Sequence, residues 1–401
     1  MSTFKIPFNK PTVVGDEVLV LAEAIQAGHL GGNGPFTRKC QRFLEDQLPV
    51  PKALLTTSCT DALEMSALLL DIQPGDEVIV PSFTFVSTAN AFVLHGATPV
   101  FADIRPDTLN LDETKLERLI TPKTQAIVVV HYAGVGCEMD GILEIARRNG
   151  IPVVEDNAHG LFGKYRGRTL GSMGCLATLS FHETKNLTCG EGGALLLNDT
   201  RYFERAEIIL EKGTDRSRFF RGQVDKYTWV DAGSSYLPSD MLAAFLHVQL
   251  QAWQEVQMRR QELWSRYFSH LQDWAGSQGV DLPRVPAHCE HTAHAFYLLL
   301  PSLAKRQSLI DYLRDRGIAS AFHYLPLHLS TMGQRFKGKR GDCPVTEQIS
   351  DRLLRLPLYH ALTDAEQNEI IEAVRAWKCR LLPADRKRAG STLASATAVQ
   401  A

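Results

Sequence analysis

A lysine and an acid 29 residues apart, Lys185 and Asp156, each stand at the end of a short apolar run. Lys185 lies in Ser180-Phe181-His182-Glu183-Thr184-Lys185-Asn186, between apolar runs at 175–180 and 194–197, just before the glycine cluster Gly190-Glu191-Gly192-Gly193. Such a polar stretch between two apolar runs reads as a turn joining strands, so the amine is held where buried strands end. Asp156 closes the run Pro152-Val153-Val154-Glu155, with Asn157, Ala158 and His159 after it. A desolvated amine is a nucleophile and proton carrier, and a carboxylate beside it can keep a ring nitrogen protonated. A lone lysine in a hairpin is more often a surface residue, and it is the acid that argues for chemistry.

Further groups of the same kind follow other apolar runs. Ser58-Cys59-Thr60 opens a helix-length segment, whose first N–H groups and positive dipole end form an anion site. Ser180 adds a hydroxyl, Phe85 an aromatic face, and His159 an imidazole three residues past the acid. An amine, an acid, an anion cradle and an aromatic wall are together what pyridoxal 5′-phosphate (PLP) requires, with Lys185 condensing on its aldehyde. Each residue also has a plainer reading. Ser58 reads equally as a helix cap alone, Phe85 as a core residue, and His159 as a satisfied buried histidine. Taken singly the plainer readings prevail; on consecutive strand ends their joint coincidence is improbable.

The elements that must position these groups alternate in type. Short apolar strands over 53–56, 77–80, 99–103, 126–131 and 152–155 are separated by helical segments near 60–70, 86–94, 114–120 and 139–149. This order predicts an α/β fold with a mostly parallel sheet between helices, whose ligands sit beyond the carboxyl ends of the strands. Upstream, 15–27 and 36–46 read as helices around a glycine-rich loop, Gly31-Gly32-Asn33-Gly34-Pro35. Downstream, 202–211 reads as a helix, and the polar segment 212–227 as either a functional loop or a solvated basic one. A long helix over 239–270 leads to a smaller α+β unit with strands within 293–300 and 319–325 and helices over 308–316 and 364–380. The expected division is a large unit over 1–250, a small one over 251–380, and a disordered tail over 381–401, whose small polar residues begin at 383.

Composition narrows the partners. In 401 residues, Lys plus Arg total 43 against 45 Asp plus Glu, so nothing recommends nucleic acid or an anionic membrane. Eight cysteines lack any C-x-x-C pair or zinc-like spacing, which fits reduced thiols, no structural metal and a cytoplasmic protein. No uncharged apolar run approaches the roughly 20 residues of a membrane span, and no secretory leader is apparent.

The motif series Thr57-Ser58-Cys59-Thr60, Pro81-Ser82-Phe83-Thr84-Phe85, Glu155-Asp156 with His159, and 180–186 with Gly192-Gly193 resembles that of the DegT/DnrJ/EryC1/StrS sugar aminotransferases. The likeness runs from about Ile6 to Trp377. It implies a fold-type-I PLP-dependent transferase, a homodimer with shared active sites, acting on nucleotide-linked keto-sugars. A narrower likeness, carried by Glu211-Lys212-Gly213-Thr214, by 221–229 and by Gly233-Ser234-Ser235-Tyr236-Leu237, points to the dTDP-4-amino-4,6-dideoxygalactose transaminase subgroup. Ser235 stands where many members carry an Asn that contacts the cofactor phosphate across the dimer, and Asn157 where Ala or Cys is common.

The resemblance implies a two-stage exchange. L-Glutamate gives up its amino group and leaves as 2-oxoglutarate, then C4 of dTDP-4-keto-6-deoxy-D-glucose receives it, Lys185 carrying the proton. The product would be a dTDP-4-amino-4,6-dideoxyhexose, galacto or gluco. Arg218, Arg221, Lys226 and Tyr227 are expected at the substrate, the cations against its diphosphate, and Tyr132, His323 and Tyr324 around the sugar ring. A PLP-dependent sugar dehydratase of the same fold replaces the lysine by histidine in one branch, which Lys185 argues against. A nicotinamide-dependent sugar-nucleotide oxidoreductase or epimerase would need a glycine fingerprint after a strand, which is missing. A non-catalytic regulator on this fold would not need both Lys185 and Asp156.

Overall fold

The computed structural model describes residues 4–378; the stretch from 383 onward, expected as a disordered tail, lies outside them. The first strands in chain order are β1 (Lys52–Thr56), β2 (Glu77–Pro81), β3 (Thr98–Ala102), β4 (Thr124–Val130), β5 (Val153–Asp156), the short pieces β6 (Lys164–Tyr165) and β7 (Arg168–Thr169), β8 (Leu176–Ser180) and β9 (Gly193–Leu197). All but β6 and β7 join one seven-stranded sheet in the order β1-β9-β8-β5-β4-β2-β3. β3, β2, β4, β5 and β8 pair parallel, and β9 runs antiparallel between β8 and β1.

The sheet is covered on both faces, which is why its strands read as continuous apolar runs. Side chains alternate between two cores: Leu195 and Leu197 of β9 enter one, Ala194 and Leu196 the other. Helices Cys59–Leu69, Val86–Val93 and Phe203–Leu210 pack on the first face through Ala62, Leu63, Phe92 and Ile209. Helices Pro35–Gln47 and Asp240–Gln251 cover the β1, β8 and β9 end of the other face through Phe36, Leu44 and Leu246, and Met139–Asn149 covers the rest. Because the parallel strands share one direction, Thr56, Pro81, Val130, Asp156 and Ser180 all end on one rim.

A further core belongs to the later chain. Leu263, Tyr267 and Leu271 of helix Trp253–Gln278 pack with Phe296 and Leu298 of β11 (Phe296–Leu299), Leu354 and Leu356 of β12 (Leu353–Leu356), and Ile370 and Val374 of helix Asp364–Ala376. β11 and β12 are antiparallel. Ile6 enters this core too, bridging to Ile318, so the N-terminal arm crosses onto the later half. The remaining strand, β10 (Cys289–Glu290), pairs with β6 of the β6–β7 hairpin.

Four local expectations change. The helix expected over 239–270 is two, Asp240–Gln251 and Trp253–Gln278, broken at Ala252, whose ψ of 9° leaves the helical range. The helix expected over 114–120 is a pair of 3-10 turns, Glu113–Lys115 and Glu117–Leu119; Asp112 caps its start, and Pro122 forbids continuation past residue 120. The strand expected within 319–325 is loop apart from one bridge between Ala321 and Arg355. The helix expected over 308–316 begins earlier, at Leu303, where the Ser302 hydroxyl accepts from Lys305 N–H. No helix among the described residues is long and apolar enough to cross a membrane.

Candidate active site

A cavity of about 820 Å³ lies beyond the carboxyl ends of β1, β5 and β8. Ser58, Cys59, Thr60, Phe85, Asp156, His159, Ser180, Lys185, His323 and Tyr324, named from sequence, all line it. Ser58 is extended, and its Oγ accepts from Asp61 N–H at 3.1 Å, so it does cap helix Cys59–Leu69. It also faces the cavity, so the helix start that it caps opens onto that space. Thr60 Oγ1 donates to Ser87 Oγ at 2.8 Å, and Cys59 Sγ lies 3.4 Å from Thr178 Oγ1. Gly193 presses on this turn so closely that a Cβ there would stand 2.4 Å from Cys59 N.

Asp156 is buried, and burial pushes its carboxyl above the usual range, partly offset by its hydrogen bonds. Thr88 Oγ1 donates to Oδ2 at 2.7 Å and Ala158 N–H to Oδ1 at 3.2 Å. Since Thr88 spends its proton there, the 2.8 Å contact with Thr84 makes Thr84 the donor to Thr88. Burial lowers the Lys185 amine from its ordinary value, and the nearby Arg355 charge adds to this while Cys59 and Asp156 oppose it. A lowered ammonium releases its proton readily, as a general base requires.

Histidines form the wall beside the lysine. His159 stacks on His294 with centroids 4.1 Å apart, and burial drives both, and His323, well below the ordinary imidazole value. His159 Nδ1 is buried without a hydrogen-bond partner, so this imidazole is not the satisfied core residue of the plainer reading. His294 donates Nδ1–H to Asn186 Oδ1 at 3.0 Å, and Asn186 Nδ2 donates to Thr292 O at 2.9 Å. The residue after the lysine is thereby tied to the later half of the chain. Phe85 is 57% exposed, with its ring 6.5 Å from that of Tyr324, so it is a wall of the cavity mouth and no part of the core. Phe83, two residues earlier, is the buried partner in that motif.

The other expected site residues lie elsewhere. Tyr132 is buried behind the wall, its hydroxyl 2.8 Å from His323 Nδ1. Ser235 is exposed, on a strand-like bridge to Glu211. Arg218 pairs with Glu204 at 3.4 Å and Arg221 with Glu207 at 2.7 Å. Lys226 and Tyr227 are exposed on the same segment, and none of these five from 218 to 235 lines the cavity within one chain. Residues the sequence reading passed over do line it: Phe8, Thr88, His294 and Arg355. The loop carrying His323 and Tyr324 is pinned from below, Ser82 Oγ meeting His328 Nδ1 at 2.6 Å and Glu347 Oε1 meeting Nε2 at 3.1 Å.

The donor set fits PLP. An amine and a buried carboxylate share one enclosure, a helix start supplies N–H groups for phosphate, Phe85 supplies a ring face, and His159 Nδ1 is left without a partner.

Comparison with known proteins agrees. The DegT/DnrJ/EryC1/StrS aminotransferase family matches over residues 12–375. The spore coat polysaccharide biosynthesis protein SpsC of Bacillus subtilis is 34% identical over 378 residues, covering 92% of this chain and 96% of that protein. The aminotransferase TlmJ from Streptoalloteichus hindustanus superposes with a TM-score of 0.85 at 32% identity, over 92% of this chain and 98% of that one. The putative sugar aminotransferase Spr1654 from Streptococcus pneumoniae, in its PLP form, gives 0.86 at 29% identity, over 92% and 97%. A lysine and a buried acid on one cavity, in a fold shared with these enzymes, make the chain a member of the DegT/DnrJ/EryC1/StrS family, a PLP-dependent sugar aminotransferase.

Proposed function

We propose that the chain moves the amino group of L-glutamate to C4 of dTDP-4-keto-6-deoxy-D-glucose, giving a dTDP-4-amino-4,6-dideoxyhexose of galacto or gluco configuration. The observation that carries the transfer chemistry is the placement of Lys185 and Asp156 on one cavity at the ends of the sheet. The choice of sugar rests on the motifs over 211–237, and the naming of SpsC for spore coat polysaccharide biosynthesis supports an amino-sugar product.

Bound PLP supplies an electron sink for the charge that develops at the donor carbon. Asp156, accepting hydrogen bonds from Thr88 and Ala158, is placed to keep a ring nitrogen protonated. Ser58, Thr60, Ser180 and the first N–H groups of helix Cys59–Leu69 would hold the PLP phosphate, with Cys59 beside them, and Phe85 and His159 would supply contacts to its ring. Lys185, neutral once released, takes a proton from the donor carbon and later returns one to the acceptor.

The segment with Arg218, Arg221, Lys226, Tyr227 and Ser235 fits this scheme if a second copy brings it to the site. Its exposed Phe220, Tyr227, Trp229 and Val230 support a homodimer with shared sites. A cytoplasmic location belongs to the same proposal, and so does a division into units over 1–250 and 251–380, which the separate cores support.

The test is visible absorbance of the purified protein. Addition of L-glutamate should bleach the yellow PLP form, and the keto-sugar nucleotide should restore it, with the amino sugar identified by NMR. Lys185→Ala should cost about 10⁴-fold in amination rate. An unchanged rate would overturn the assignment.

A further inference from the structure

One side of helix Trp253–Gln278 serves an irregular stretch, 291–295, which carries His294 to the cavity. Gln261 Nε2 donates to His291 O, Arg260 Nε to Ala293 O at 3.2 Å, Arg260 Nη2 to His294 O at 2.8 Å, and Trp264 Nε1 to Ala295 O at 3.2 Å. The remaining carbonyl, Thr292 O, is the one that Asn186 Nδ2 takes. A buried segment outside any ladder must satisfy its carbonyls in this way, and here side chains hold all five. Ala293 needs the support, since its φ of 48° lies in the left-handed region that an L-residue seldom occupies unaided.

Arg260 is the unexpected member of this set. It is 2% exposed, burial pushes its guanidinium down to about 9, and no carboxylate among the described residues offsets that. Packing alone would be met by an apolar side chain without the penalty of a buried charge. What the planar fork adds is a grip on the two carbonyls that flank the His294 Cα, which fixes where that side chain leaves the backbone. Contacts at the site depend on this. His294 Nδ1–H reaches Asn186 Oδ1, its ring stacks on His159, and Thr292 Oγ1 donates to His159 O at 2.6 Å. Asn186 follows Lys185 directly, and His159 lies three residues past Asp156. A shift of the backbone over 292–294 therefore reaches both groups that carry the transfer chemistry.

We propose that Arg260 is a positioning residue for the transfer: by gripping the carbonyls of Ala293 and His294 it sets the His294 ring against His159 and Asn186, and through them aligns Lys185 with the cofactor. This rests on the aminotransfer reading above.

The test compares wild type, Arg260→Met and Arg260→Lys. In PLP-free wild type, proton NMR should show a downfield imidazole N–H signal that His294→Asn removes, and in Arg260→Met this signal should be lost or broadened. In PLP-loaded Arg260→Met, bleaching by saturating L-glutamate at single turnover should slow at least about 30-fold, while the apparent affinity for L-glutamate moves less than about threefold. Arg260→Lys keeps the charge without the fork and should fall between the two on both readouts. It is the deciding variant if Arg260→Met loses its melting transition. A wild-type bleaching rate or an undisturbed N–H signal in a folded variant overturns the proposal, as does absence of that signal from the wild type, or a slowed rate that only tracks the fraction unfolded. If L-glutamate fails to bleach the wild type, the aminotransfer reading fails and takes the proposal with it; if wild type and variant bleach alike, only the proposal fails.

Discussion

At the scale of single residues, burial sets the chemistry of the cavity wall. His159, His294 and His323 are buried and held neutral, whereas in the unfolded chain each takes up a proton near pH 6.5. The unfolded state therefore binds more protons below that pH, so stability is fully present above about 6.5 and is lost as pH falls below it. The slope is about 1.4 kcal/mol per pH unit for each histidine. The PLP-free protein should accordingly melt at lower temperature at pH 5.5 than at 7.5, and His294→Asn should flatten the dependence; a flat wild-type profile would refute it. Most of the chemistry at this scale is legible in the chain, because Lys185, Asp156, Ser58 and His159 each follow an apolar run closely. Arg355 and His294 escape notice because they arrive from the later half, 170 and 109 residues after Lys185. The one available signal is a charge inside an apolar run, Leu353-Leu354-Arg355-Leu356.

At the scale of elements, the glycine pair after the lysine turn has a steric purpose. Gly193 ends on the backbone of Ser58 and Cys59, so the helix start proposed to hold the phosphate and the return strand from Lys185 share one contact. Gly193→Ala should force that contact apart, costing about 1–3 kcal/mol of stability and weakening PLP binding at least about tenfold. Denaturant titration and cofactor fluorescence read the two effects. The parallel strands are legible as apolar runs because both sheet faces are covered. The break at Ala252 is not, since no proline or glycine marks it, and β12 is too short for its period to show.

At the scale of the whole molecule, Asn186 joins the lysine turn to the later half through Thr292 and His294. Asn186→Ala should lower kcat while costing only about 1–2 kcal/mol in global stability; equal loss of both would mean a purely structural role. Fold class is legible from strand and helix alternation, whereas contacts between halves separated by a hundred residues leave no local pattern. The sheet order carries one last consequence, for how the chain reaches its final form. β1 gains its hydrogen-bonding neighbour only when β9 exists, and their paired ends, Lys52 and Leu197, are 145 residues apart. Closing so long a loop is slow, so during synthesis β1 must wait unpaired while most of the sheet emerges. The helix start that follows β1 waits with it. In refolding from denaturant, the ability to bind PLP should therefore appear in the slowest kinetic phase, after most helical signal has returned, as stopped-flow circular dichroism and cofactor fluorescence together would read.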